Sequence, residues 1–260
     1  MPKHNFSYTF NGLFSLILKL TSPTGCEWDK TQTIKSLRTY LLEETYEIID
    51  AINDQNYKNL LEEVGDLLFL IIFQIKLIED KKLFKKEDVF KGIIDKLVNR
   101  HPEIFSSSKK YINESPESKW ETIKKEEKIN SQNKSLLAGI PQSLPSLTLA
   151  QLIQKRASFA NFDWKKFEDI LPKINEELTE IKESANPEEQ EIEFGDLLFT
   201  LVNIARWIGI DSEIALRKSN HKFIKRFEIM EKLSNKENKN FSNLNKNEQE
   251  LLWEKSKKFI

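Results

Sequence analysis

The sequence predicts an all-α protein built from two tandem helical-bundle domains. Three observations carry that prediction: the chain repeats itself, its apolar residues recur at helical spacing, and glycine and proline are scarce. Gly 7 and Pro 8 in 260 residues amount to about half the usual abundance of the pair. Turn-dense β-sandwiches, collagen-like repeats and glycine-rich phosphate loops are poor fits to that composition. No segment alternates convincingly at period two, as a half-buried strand would.

The repeat is legible by eye. Residues 41–69 read LLEETYEIIDAINDQNYKNLLEEVGDLLF, and residues 174–199 read INEELTEIKESANPEEQEIEFGDLLF. Each has Glu-Glu-x-x-Glu, a polar spacer, and then Glu-x-Gly-Asp-Leu-Leu-Phe. Each is followed by a Lys-x-x-x-Arg pair, Lys96 with Arg100 and Lys222 with Arg226, and preceded by an aromatic–acid pair, Trp28-Asp29 or Asp163-Trp164. A duplicated unit of about a hundred residues matches the domain count that this length allows. The expected organisation is an N-terminal helical domain over 1–105, a linker over 106–147 and a C-terminal helical domain over 148–260.

Taken in order, residues 8–21 read as an amphipathic helix; Lys19 interrupts its apolar run and no small-residue cleavage site follows, so it is not an export signal. Leu37, Tyr40, Leu41, Ile48 and Ala51 form one helical stripe; Val64, Leu67, Leu68, Ile71 and Ile75 form another, both expected to face the core. Asp88 is placed to cap a third helix running to Asn99, which His101-Pro102 ends. In the linker, Trp120 to Lys128 reads as a short charged helix, and Trp120 as a docking residue. Helices are then expected over 166–184, 187–208, 211–234 and 246–258.

Lys+Arg 40 against Asp+Glu 41 leaves a net charge of -1, so bulk charge does not point to nucleic acid. The longest apolar run, Leu67 to Ile78, contains Gln74 and Lys76 and falls short of the ~20 residues that cross a bilayer. A membrane partner is therefore not expected. Cys26 has no second cysteine to pair with, which fits a reducing, cytoplasmic setting.

The carboxylates carry the chemistry. Glu44 and Glu47 lie i, i+3 on one helix, and Glu63 and Asp66 have the same spacing on the next. The short connection from Asn53 to Lys58 makes these helices antiparallel neighbours, so the two pairs can face one another. Four carboxylates in one cleft repel, and a divalent cation removes the conflict. A ligand set of oxygens alone points to magnesium or manganese rather than zinc. The second unit offers the matching quartet Glu177, Glu180, Glu193 and Asp196. A lone Glu-x-x-Glu in so charged a chain is usually a solvated face; the adjoining apolar runs and the repetition favour the cation. Gly65 and Gly195 cost ~1 kcal/mol each in a helix relative to alanine, which suggests a close helix–helix approach beside the acids, or else an ordinary packing contact.

These residues resemble a known family. Leu42-Glu43-Glu44-x-x-Glu47 with Glu62-Glu63-x-Gly65-Asp66, flanked by Cys26-Glu27-Trp28-Asp29 and by Asn99-Arg100-His101-Pro102-Glu103-Ile104-Phe105, closely resembles the MazG-type nucleoside triphosphate pyrophosphohydrolases. The resemblance runs from about residue 12 to 258. Dimeric dUTPases and the phosphoribosyl-ATP pyrophosphohydrolase belong to the same all-α superfamily; the duplication and the flanking motifs favour MazG. The resemblance implies an all-α homodimer that hydrolyses nucleoside triphosphates, ATP among them, to the monophosphate and pyrophosphate with Mg²⁺. It further implies catalysis in the C-terminal unit, with Glu177 as ligand and Glu176 orienting water or supporting the ligands. Lys173, Lys222, Arg226, Trp253 and Lys257 are the implied nucleotide contacts. From the residues alone, Trp253 packing on the bundle is the better reading, and Lys222 with Arg226 would be a solvated face.

Two departures stand out. Ile192 replaces the acid found at Glu62, and Glu188-Glu189-Gln190 stands where relatives often carry a lysine. They motivate a competing expectation, a nucleotide-sensing or partner-binding protein with little turnover. A narrower, dUTPase-like enzyme is the alternative within the first class.

Overall fold

The computed structural model describes residues 5–105 and 135–260. The expected linker helix at Trp120 to Lys128 lies outside the described residues. The chain divides into two compact units, Met1–Ile112 and Asn113–Ile260, and among the described residues the secondary structure is helical.

In the first unit, α1 (Phe10–Leu20) starts where the Thr9 hydroxyl accepts from the Gly12 N–H at 3.2 Å. The short α2 (Glu27–Thr31) carries a buried Asp29. Then α3 (Leu37–Asn53) and α4 (Tyr57–Asp80) form an antiparallel hairpin. Its turn passes through Gln55 at φ 54°, and Asn56 caps α4 by accepting from the Asn59 N–H at 3.2 Å. The unit continues with α5 (Lys86–Arg100) and α6 (Pro102–Phe105). Asp88 is not the cap of α5. The helix begins two residues earlier, and the Asp88 carboxylate accepts from the Lys85 N–H at 2.9 Å.

The core of this unit joins Phe14 and Ile17 of α1 and Leu37 of α3 to Leu70, Ile72, Phe73, Ile75 and Leu77 of α4. Of the expected α4 stripe, Ile75 is buried in this core and Leu67 is half-buried. Val64, Leu68 and Ile71 are exposed, because the helix turns the Leu70–Phe73 face inward, and both faces of that run are apolar. Periodicity alone does not choose between them.

In the second unit, α7 (Ser146–Ser158) follows a turn that passes through Gly139 at φ 72°. Arg156 Nη1–H donates to the Ala138 carbonyl at 2.8 Å and ties that turn down. The expected helix over 166–184 is interrupted. A 3-10 turn (Phe167–Asp169) precedes α8 (Leu171–Glu183), which carries Pro172 in its first turn. Asn186 then caps α9 (Pro187–Trp207), accepting from the Glu188 and Glu189 N–H groups at 3.0 Å. Asp211 caps α10 (Ser212–Lys236), and an Asn245/Glu248 capping box opens α11 (Lys246–Ser256). Ile170, Val202, Met230 and Leu252 are buried within the unit.

The glycines do not mark a close approach. A Cβ built on Gly65 or Gly195 meets nothing within 4 Å.

Candidate active site

Each hairpin brings its acids together. In the first unit, ligand oxygens of Glu44, Glu63 and Asp66 lie within 4.8 Å of one another. Burial and then the charges of Glu47, Asp66 and Glu63 hold the Glu44 carboxyl above its ordinary range. Glu47 lies outside this trio but presses on it: after burial, its charge and hydrogen bond are what raise Glu63. In the second unit the trio is Glu177, Glu180 and Glu193, again within 4.8 Å. Burial and then the Glu193 charge raise Glu180. Asp196, the fourth expected acid, lines the cavity beside this trio.

Glu177 is only 2 % exposed. Its Oε1 pairs with Lys173 Nζ at 2.9 Å, while Oε2 is buried without a hydrogen-bond partner. Lys173 also reaches Glu176 at 2.9 Å, and those two bonds raise its pKa. Glu44 Oε2 is buried and unpartnered in the same way. A buried carboxylate oxygen in a residue clustered with other carboxylates, with no donor to meet it, suits a hard cation.

The second trio borders a cavity of about 720 Å³, of the size that small-molecule sites have. Glu177, Asp196 and the Lys173 ammonium are its charged groups; Phe162, Trp164, Phe199 and Leu137 supply apolar walls; Gln154, Thr200, Asn203 and Arg206 add polar groups. One pair shapes the rim. Arg206 Nη1 donates to Asp163 Oδ2 at 3.0 Å, Nη2 donates to Oδ1, and Nη2 also donates to Asn203 Oδ1 at 2.8 Å. Oδ1 further accepts from the Trp164 N–H at 2.9 Å and the Trp207 Nε1–H at 3.3 Å. Burial pushes the Asp163 carboxyl up, but these donors outweigh it and hold it below the usual range.

The first unit is built differently at matching positions. Aligning the two Gly-Asp-Leu-Leu-Phe segments sets Phe73 against Asn203, Leu70 against Thr200 and Lys76 against Arg206. Phe73 and Leu70 are core residues, and Lys76 pairs with Asp80 at 2.6 Å. Where the second unit has polar cavity wall, the first has packed core.

The remaining expected contacts gather elsewhere in the second unit. Trp253 lies against Phe223 with ring centroids 5.5 Å apart, and the Arg226 guanidinium sits over its ring at 5.3 Å. Arg226 Nε is buried without a hydrogen-bond partner. Lys257 pairs with Glu254, and Lys222 is exposed. None of these four lines the cavity. Gln154, Asn203 and Arg206 were missed from sequence. Their signal was polar side chains interrupting apolar helical faces, for example Asn203 and Arg206 after Leu197–Val202.

An all-α chain whose helical hairpins bring three carboxylates within 4.8 Å of one another belongs to a class of acid-cluster helical proteins. The comparisons narrow that class. A family model for the MazG nucleotide pyrophosphohydrolase domain matches residues 32–105. The chain is 42% identical over 248 residues to the nucleoside triphosphate pyrophosphohydrolase/pyrophosphatase MazG of Thermotoga maritima, covering 95% of each. It is 40% identical over 227 residues to the nucleoside triphosphate pyrophosphohydrolase of Escherichia coli K12, covering 85% of this chain and 86% of that one. The chain belongs to the MazG family. Among the described residues, no helix is long and apolar enough to cross a membrane.

Proposed function

We propose that this protein is a cytoplasmic, magnesium-dependent nucleoside triphosphate pyrophosphohydrolase that works from its second unit. The observation that carries the reading is Glu177, buried and half-unpaired in an acidic trio at the end of the cavity. Glu177, Glu180, Glu193 and Asp196 hold the cation. Manganese suits the same oxygens. When bound, the cation neutralises triphosphate charge and acidifies water for attack on the α-phosphorus.

The chain's own groups do the rest. Lys173 fixes the Glu177 carboxylate and adds positive charge beside the phosphates. Glu176, tied to Lys173 and at the solvent edge, orients the attacking water. Water bonds to the α-phosphorus as the α–β bridging oxygen leaves with pyrophosphate, giving a nucleoside monophosphate. Lys222, Arg226 and Lys257 stabilise the departing charge. Trp253 is already covered by Phe223 and Arg226, which supports a role in holding Arg226 beside the phosphates rather than in stacking on a base.

Glu44, Glu47, Glu63 and Asp66 hold a cation in the first unit, but its packed core at Leu70 and Phe73 leaves a nucleoside no matching wall. That contrast favours the second unit for turnover. A homodimer is part of the proposal, supported by the exposed apolar residues of α4 (Val64, Leu68, Ile71) and α9 (Ile192, Leu198, Leu201).

The test is Glu177→Gln with pyrophosphate release followed. Loss of turnover is expected; undiminished turnover would move the reaction out of the second acidic cluster. The exposed Ile192 in place of an acid favours one rival, a sensor. Tight binding of magnesium–nucleotide with no monophosphate formed would establish that rival.

A further inference from the structure

Asn203 on α9 is half-buried and lines the cavity of the second unit. Its Oδ1 accepts from Arg206 Nη2–H at 2.8 Å, and both Nη groups of Arg206 are held by Asp163. A guanidinium only donates, so it meets the oxygen of the amide and fixes which way Asn203 faces. Nδ2 is left on the other branch of the amide. It bonds to no protein group among the described residues and, unlike Arg206 Nε, is not sealed from solvent. Water meets such a group in the free protein, and a ligand that fills the cavity takes the water's place. What the Asp163–Arg206 pair sets is a direction: at this point the wall presents the amide's donor.

Position along the helix says what that donor meets. Glu193, Asp196, Thr200 and Asn203 recur at helical spacing and share one face of α9. Asn203 stands two turns beyond Asp196, about 10 Å along the axis. Phosphate and sugar oxygens accept hydrogen bonds too, but the phosphates belong with the cation at the acids. With the α-phosphate there, the sugar runs past Thr200 and the base arrives at Asn203. The rings of Phe162, Trp164 and Phe199 on the same cavity suit a planar base.

We infer that Asn203 is a specificity-determining residue: its Nδ2–H donates a hydrogen bond to a ring nitrogen or carbonyl oxygen of the substrate's nucleobase. The inference rests on the proposed function and deepens it, because it lays the nucleoside along α9 and names the atom that reads the base. The preferred triphosphates are those whose base places an acceptor at that amide. Analogues that lack the acceptor are poorer substrates.

The experiment compares kcat/KM for ATP, GTP, CTP and UTP with analogues that each weaken one base acceptor, in wild type and in Asn203→Leu. Each accepting purine ring nitrogen is replaced in turn by C–H, and each carbonyl oxygen by sulfur, a weaker acceptor. For at least one pair, wild type should prefer the parent by about fivefold or more, the net worth of one hydrogen bond. In Asn203→Leu that preference should collapse to about twofold or less, through loss of the parent reaction. Leucine has a similar shape, so a preference that survives in the variant does not come from the amide and overturns the inference. Asn203→Ala is read alongside, so that a misfolded leucine variant does not decide the outcome. Equal handling of every pair by wild type overturns the inference as well, and that arm needs no variant to fold. A loss in Asn203→Leu that is the same for parents and analogues would put the donor on a phosphate and also overturns it. A 2′-deoxy arm covers the sugar: a preference that follows the hydroxyl and ignores the base acceptors overturns it too. If wild type hydrolyses no triphosphate at all, the proposed function falls and takes this inference with it. Turnover with any of the other failures leaves the proposed function standing.

Discussion

Replacing Glu177 by glutamine should separate the stability of the second unit from its function. In the absence of metal, the change removes an ion pair with Lys173 at 2.9 Å. Lys173 has a third of its side chain exposed and keeps Glu176 at 2.9 Å, so the loss is at most about 1 kcal/mol. Against it, one negative charge leaves a trio of carboxylates within 4.8 Å, and the new amide can donate to the oxygens that remain. The two effects oppose each other, and the metal-free melting temperature should stay within about 3 °C of wild type. The cation response should not survive. Magnesium at a hundred times its dissociation constant stabilises a protein by about 2.7 kcal/mol, roughly 5–10 °C for a unit of this size. The assay is a thermal melt with and without magnesium, run in a Glu44→Gln background so that the first cluster does not contribute. Pyrophosphate release is measured in parallel and should fall by about 10²–10³-fold. A variant that keeps the full magnesium-induced shift would refute the assignment of Glu177 as a ligand.

Three further outcomes follow from the same geometry. Asn203→Phe, which imports the residue of the first unit, should weaken binding of a non-hydrolysable triphosphate by more than about tenfold and leave the magnesium shift intact, as read by calorimetry and melting. Asp163 has a lowered pKa, so its contribution to stability is full above the ordinary aspartate value of 3.8 and is lost as pH falls through the lowered one. Asp163→Asn should therefore weaken the protein at neutral pH yet flatten the fall in stability below about pH 4 in urea melts. Phe73, fully buried in the first unit, should cost about 3–5 kcal/mol when cut to alanine, with the KM for triphosphate unchanged at a temperature where the variant is folded.

Much of the fold was legible in the sequence because helices declare themselves locally. The connection between Asn53 and Lys58 and the helix expected over 187–208 each depend on a few neighbouring residues, and the structure has α3 ending at Asn53, α4 starting at Tyr57 and α9 spanning Pro187–Trp207. Where tertiary packing chose among local options, the sequence was a weaker guide. The α4 run is apolar on both sides, and only contact with Phe14, Ile17 and Leu37 decides that Phe73 is core and Leu68 is surface. Gly65 and Gly195 suggested a close neighbour, yet a side chain there would meet open space.

The acidic trios were readable for the same local reason. The cavity was not, since its walls come from α7, the loop at Asn161–Trp164, α8 and α9, stretches far apart in the chain. Asp163-Trp164 stood out only as a repeat landmark. Its part in clamping Arg206 depends on a partner 43 residues away, and no spacing rule connects the two. Asn203 is a single polar residue on an otherwise ordinary helix, and the direction of its amide becomes visible only once the Arg206 guanidinium is seen to donate to its oxygen.

The central claim is that water attacks the α-phosphorus of a nucleoside triphosphate at the second acidic cluster. Turnover in isotopically heavy water, with products resolved by mass spectrometry, tests it most directly. The heavy oxygen should appear in the nucleoside monophosphate, with unlabelled pyrophosphate released in equal amount. Label in pyrophosphate, or a nucleoside diphosphate among the first products, would contradict it.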